Sequence, residues 1–320
     1  MEALHFKLFL YLCGAMMRVT IAARWLLLGA LSAAYLLSGC KKKEKVEDHS
    51  HGGPQPDHGG PQPDASWVRV MNARTGPNDR IHVEVYAYLH PSQNDQVREG
   101  YNRFRIKVEG YSGPDVRLLP MMYMTTTKHT CPTKQPDGKA PDGYFYAEAF
   151  FQMPSTVDAN GNVTEPWKLH VILGGNDTAT ADLRVNPHPN RPNRWVHRKT
   201  FNTSMGEVRL LYEFRPEGAF KVGTVPVRMY VYRWDMTITH DRLDGFLSAS
   251  DMVQVVQLKT WMPSMDHGAP GNQPAQPVSN SFGLYKGQVG FNMTGDWDIY
   301  LAFVRQQGDT LGLDTVKVRF

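Results

Sequence analysis

The apolar residues of this chain come in short runs that alternate with polar ones, and that alternation restricts its fold more than any other feature. Ile81 to Tyr88, Phe104 to Val108, Val225 to Tyr232 and Val316 to Phe320 all repeat with period two. Successive side chains of a strand point to opposite faces, so each run presents one apolar face and one polar face. Gly, Pro, Asn and Asp separate the runs at hairpin-like intervals. No long stretch of 3.6-residue period intervenes, so no helix is on hand to cover a sheet. The strands must bury their apolar faces against one another. The predicted fold is all-β, with sandwiches of the immunoglobulin-like kind.

A second pattern sets how many sandwiches there are. Met121-Met-Tyr-Met124 is followed by His129, Pro132, Tyr144, Phe151-Gln-Met153 and Trp167-Lys-Leu169. Met262-Pro-Ser-Met265 is followed by His267, Pro270, Tyr285, Phe291-Asn-Met293 and Trp297-Asp-Ile299. The unusual residues recur in the same order, and the alignment pairs Met121 with Met262 and Met153 with Met293. The two methionine offsets agree closely, and rare residues that recur in one order mark an internal repeat. Residues 66–190 and 195–320 are the two predicted sandwiches. The Pro/Asn-rich stretch from Asn186 to Asn193 parts them.

The N-terminal part reads as an export segment. Arg18 and Arg24 precede an almost wholly apolar run from Trp25 to Leu37, short for a membrane span but right for a signal core. The run ends in Leu37-Ser38-Gly39-Cys40, a lipobox-like sequence. Small residues admit a peptidase, and the Cys40 thiol is the nucleophile that takes the lipid. Residues 1–39 are therefore predicted to be removed, leaving Cys40 as the anchor. Residues 40–65 are predicted to be a tether. A lysine-rich run, Lys41 to Lys45, suits a membrane surface. Two copies of His-Gly-Gly-Pro-Gln-Pro-Asp follow, starting at His51 and His58. With His49 they make either a plain spacer or an auxiliary metal-collecting arm. Lys41 rather than Asp after the lipidated cysteine favours the outer membrane, with the protein facing the periplasm or the cell surface.

The formal net charge is only +4, part of it in the export segment, which gives no ground for nucleic-acid binding. Cys131 is the one other cysteine after Cys40, so no intramolecular disulfide can staple the fold. No nucleophile elbow, phosphate loop or His-Glu-x-x-His is present, and no enzymatic activity is expected.

The chemistry is concentrated in the repeated Met/His clusters. Thioether sulfur and imidazole nitrogen suit Cu(I), a soft ion, and a thioether binds it without losing a proton. The second copy offers Met262, Met265, His267 and Met293; the first offers Met121, Met124, His129 and Met153, with Cys131 as an extra thiolate or a buried thiol. Methionine is also a core filler, so the strand residues Met153 and Met293 are equally well explained as packing. Trp261 to Gly268, Gly283-Leu-Tyr-Lys-Gly287, Phe291-Asn-Met293, Gly295-Asp-Trp297 and Ile299 resemble the YtkA-like domain, which is related to FixH-like proteins. That resemblance implies a small immunoglobulin-like sandwich and a link to copper handling or oxidase assembly. The expected function is a lipid-anchored periplasmic protein that binds or delivers Cu(I), with a copper-dependent oxidase or another periplasmic protein as partner. The rival expectation is a metal-free interaction module whose Met loops are contact surface.

Overall fold

The computed structural model describes residues 66–89, 96–188, 195–203, 206–234, 246–305 and 308–320. The predicted export segment and tether, with Cys40, His49, His51 and His58, lie outside the described residues. All described residues belong to one compact unit. Among the described residues the regular structure is strand apart from two single 3-10 turns, in line with the period-two pattern. Among the described residues no helix is long and apolar enough to cross a membrane.

The first half holds β1 (Ser66–Thr75), β2 (Ile81–Leu89), β3 (Gly100–Glu109), β4 (Val116–Tyr123), β5 (Lys128–Thr130), β6 (Thr133–Lys134), β7 (Phe145–Phe151), β8 (Thr156–Val157), β9 (Val163–Glu165), β10 (Trp167–Leu173) and β11 (Asp177–Leu183). They form one sheet in the order β1-β2-β3-β7-β6 and a second in the order β11-β10-β4-β5, with β8 and β9 as a separate ribbon. The second half holds β12 (Val196–Thr203), β13 (Gly206–Pro216), β14 (Gly223–Trp234), β15 (Phe246–Ser248), β16 (Val253–Met262), β17 (His267–Gly268), β18 (Gln273–Pro277), β19 (Leu284–Phe291), β20 (Asp296–Arg305) and β21 (Thr310–Arg319). Their order is β12-β13-β14-β19-β18-β16-β20-β21, with β17 paired to β16. Strand β18 pairs with both β19 and β16 and so joins the two sheets of this half.

The two halves share one strand order. β1-β2-β3-β7-β6 corresponds to β12-β13-β14-β19-β18, and β11-β10-β4-β5 to β21-β20-β16-β17. Register aligns them residue by residue. Phe151 opposes Gly100 as Phe291 opposes Gly223. Phe145 opposes Ile106 as Tyr285 opposes Met229, so Phe145 stands where Tyr285 does. The sequence pairing of Tyr144 with Tyr285 is therefore one residue out of step. One residue reverses the face: Tyr285 is wholly buried, whereas Tyr144 meets Arg105 and Tyr86 on the outer face of its sheet.

Alternation builds each core. In β2 and β3, Val83, Val85, Ala87, Leu89, Phe104 and Ile106 turn inward and are fully buried. Full burial of one such large apolar side chain is worth about 1.5–3 kcal/mol. The second core is built the same way from Tyr212, Phe214, Val227, Met229, Val231, Ile299, Leu301 and Phe303. A third apolar cluster joins the halves. Phe150 of the first is buried against Val196, Leu211, Tyr230, Tyr232, Phe246 and Leu284 of the second. The Tyr101 ring stacks on Tyr230 at 4.0 Å, and the Tyr101 backbone N–H donates to Glu213 Oε2 at 3.0 Å. Asn186, expected in a linker, is instead tied into the first half, where its N–H donates to the Val97 carbonyl at 2.8 Å.

Candidate metal centre

In the second half, β16 ends at Met262, the chain turns, and β17 begins at His267 directly opposite Met262. Directly opposed residues of an antiparallel pair share a face. One step back, Trp261 opposes Asp298 of β20, which brings Met262 level with Trp297. The Trp297 indole N–H donates to the Met293 carbonyl at 3.2 Å. The Trp297 ring meets His267 edge-to-face at 5.7 Å and Phe291 at 5.4 Å. Met262, His267 and the Met293 backbone carbonyl thus lie round one buried tryptophan at the end of the sandwich.

Their environments differ. Met262 is only 2% exposed and belongs to the core, while Met293 packs against it half-buried. Gly295 leaves room for the Met262 methyl, since a Cβ there would lie 3.0 Å from Cε. His267 is half-buried, and its Nε2 lies 3.2 Å from Asn292 Oδ1. An amide oxygen only accepts, so this contact puts the proton on Nε2 and leaves the Nδ1 lone pair available. Met265 lies in the turn and is 58% exposed. The turn that sets Met262 against His267 therefore carries Met265 out to solvent.

The first half repeats the frame with a change of residue. Met122 of β4 opposes both His129 of β5 and Trp167 of β10. The Trp167 N–H donates to the Met153 carbonyl at 3.1 Å, and Phe151 meets Trp167 edge-to-face at 5.0 Å. Met122, not Met121, is therefore the counterpart of Met262. Alternation does separate the two neighbours, but it turns Met122 into the core and leaves Met121 outside that cluster, opposite Thr130 and Lys168. Met153 and Met124 pack half-buried against the core. Cys131 is fully buried in it, as its counterpart Ala269 is in the other half. Burial pushes the Cys131 thiol up to about 12, so it is a protonated core side chain and not a ready thiolate.

Among the described residues, no three His, Cys, Asp or Glu side chains gather as a metal-holding group. A soft-metal site built from the described residues would therefore need thioether donors. Sequence reasoning missed three residues of the arrangement: Met122, Asn292 and Gly295. Only Met122 carried a signal: its spacing to Met153 equals that of Met262 to Met293.

No curated protein matches the chain. The family described as YtkA-like matches residues 250–302. The match runs from just before β16 into β20 and includes Met262, Met265, His267, Met293 and Trp297, while β12 to β14 and β21 complete the sandwich outside it. The second half of this chain carries a YtkA-like domain.

Proposed function

We propose that this protein is a lipid-anchored envelope protein that binds Cu(I), with its better-formed site at Met262, His267 and Met293, and that its first half is a second YtkA-like domain. One observation carries the reading: Met262 and His267 face each other across a two-stranded turn beside Trp297, with His267 oriented so that Nδ1 is unengaged. Two thioethers and one imidazole form a neutral, soft donor set that suits Cu(I) over Zn(II). Asn292 acts as the outer partner that fixes the imidazole tautomer. The exposed Met265 is placed to meet an incoming ion or a delivery partner before the buried thioether does.

The corresponding set in the first half is Met122, His129 and Met153, and Cys131 is not part of it. Lipidation at Cys40 and export to the periplasm or cell surface rest on the sequence pattern. A copper-dependent oxidase or another periplasmic copper protein is the matching partner class. A competition titration of the purified chain against a Cu(I) chelator tests the proposal. Up to two equivalents should bind, and His267→Ala with Met293→Ala should remove about one while far-UV circular dichroism is unchanged. Unaltered stoichiometry and affinity in that variant would refute the site. The exposed Met265 would then favour the second reading, an interaction module with a methionine contact surface.

A further inference from the structure

The outer faces of the two halves meet at one end, where Tyr101 and Phe150 of the first pack on the second, and differ beyond that contact. In the second half, the outer face of β13, β14 and β19 is covered: Leu211, Glu213, Tyr230 and Leu284 are buried where Tyr101 and Phe150 pack on it. In the first half, the matching face of β1, β2, β3 and β7 carries Trp67, Tyr86, Tyr88, Tyr144 and Tyr146, all half-buried or exposed. Arg103 and Arg105, two residues apart on one strand, rise between these rings. The Arg105 guanidinium lies 4.8 Å from Trp67, 5.0 Å from Tyr86 and 4.3 Å from Tyr144. Arg103 lies 5.2 Å from Tyr88 and 5.9 Å from Trp67.

The carboxylates of this face are already engaged. Glu84 accepts from Arg69 at 2.8 Å and from the Tyr86 hydroxyl at 2.9 Å. Glu148 accepts from Tyr101 at 2.7 Å, and Asp142 from Tyr146 at 2.5 Å. Among the described residues, Arg103 and Arg105 have ring contacts but no hydrogen bond or ion pair to a carboxylate. Rings on either side hold both guanidiniums in place, so their N–H edges are pre-ordered for oxyanions outside the chain. Guanidinium pairs with phosphate in a bidentate fashion, and Trp and Tyr favour the headgroup layer, where one end of the ring is apolar and the other wet.

We infer that the end of this face left open by the second half, round Trp67, Arg103 and Arg105, docks on an anionic phospholipid surface, with both arginines on headgroup phosphates and the aromatic rings among the headgroups. The choice of occupant rests on the membrane-tethering reading. The lysine-rich run and Cys40 precede β1 by a short stretch of chain, and β1 opens with Trp67 at the corner of this face. The inference is independent of copper.

Vesicle flotation of the full chain tests it, with phosphatidylcholine vesicles in one arm and vesicles containing phosphatidylglycerol in the other. Vesicles carrying brominated phosphatidylglycerol then report which tryptophan lies at the surface. The protein should show tryptophan quenching that Trp67→Phe abolishes. Arg103→Gln with Arg105→Gln should lower anionic-vesicle affinity about thirtyfold, at roughly one cation's contribution each. Arg105→Lys keeps the charge but loses the bidentate fork, and should bind more tightly than Arg105→Gln but more weakly than the parent, which separates the fork from charge and from loss of fold. The two readings fail differently. If the chain does not float on phosphatidylcholine, the anchor is absent, and binding to the anionic vesicles alone then measures the face directly. If the chain floats on both, the anchor sets the affinity and quenching decides: absence of Trp67 quenching refutes the docking face. Without the anchor, a double variant that binds the anionic vesicles as the parent does refutes it.

Discussion

At the scale of single residues, one step along a strand decided most of what was open. Met121 and Met122 are both methionines, yet only Met122 opposes His129 and Trp167. Cys131 shows how burial overrides chemistry that spacing suggests. Its folded thiol is pushed up to about 12 from an ordinary value of 9.0, and the Tyr230 hydroxyl to about 12 from 10.0, both mainly by burial. Above pH 9 the unfolded chain gains stability by ionising the thiol while the folded chain cannot. The contribution of these groups is therefore whole below pH 9 and is lost as pH rises from about 9 toward about 12. Urea midpoints measured from pH 7 to 11 should be steady with respect to these groups and then fall above pH 9. Cys131→Ala should shift that onset to about pH 10, where Tyr230 takes over, while costing about 1 kcal/mol at neutral pH. Alkylation of Cys131 should need denaturant; rapid labelling of the native protein would contradict its place in the core.

At the scale of elements, each tryptophan fastens the segment that follows the seventh strand of its sandwich, or that strand's equivalent. Trp167 and Trp297 are both buried, and both donate their indole N–H to a methionine carbonyl. Phenylalanine in place of either would leave a gap and a carbonyl without its donor. Trp297→Phe should cost about 2–3 kcal/mol by denaturant unfolding. It should also weaken Cu(I) binding in the second half while the first-half equivalent is kept. Trp167→Phe should show the reverse. If both variants lose both equivalents, the sites are not separate elements of separate sandwiches.

At the scale of the described molecule, the halves are joined by a small aromatic interface. Phe150 is fully buried in it, Tyr101 stacks on Tyr230, and the Glu213 carboxylate lies beneath Gly100. Gly100 has a φ of +95°, and a Cβ there would lie 2.9 Å from the Glu213 carboxylate. Gly100→Val would be strained in its backbone and would push the halves apart. Calorimetry should show one cooperative transition in the parent and two in Gly100→Val. Phe150→Ala should cost about 3–5 kcal/mol and weaken the same coupling. A single unchanged transition in both variants would mean that the interface contributes little.

The sequence by itself determined the fold class, and its recurring rare residues pointed to an internal repeat. Strand periodicity is a local property, and Trp167, Trp297, His129 and His267 are rare enough to mark equivalent places. It also predicted export and anchoring at Cys40, on residues outside those described. Only the tertiary structure decided which of the adjacent Met121 and Met122 joins the first-half cluster, because a one-residue register step reverses the face and spacing alone does not set register. It placed Cys131 and Met262 in cores and Met265 in solvent, since burial depends on the opposing sheet and not on the neighbours in sequence. The unequal outer faces were hidden for the same reason: Tyr86 and Tyr230 both lie on alternating strands, and only the packing of one half on the other buries Tyr230 and leaves Tyr86 at the surface.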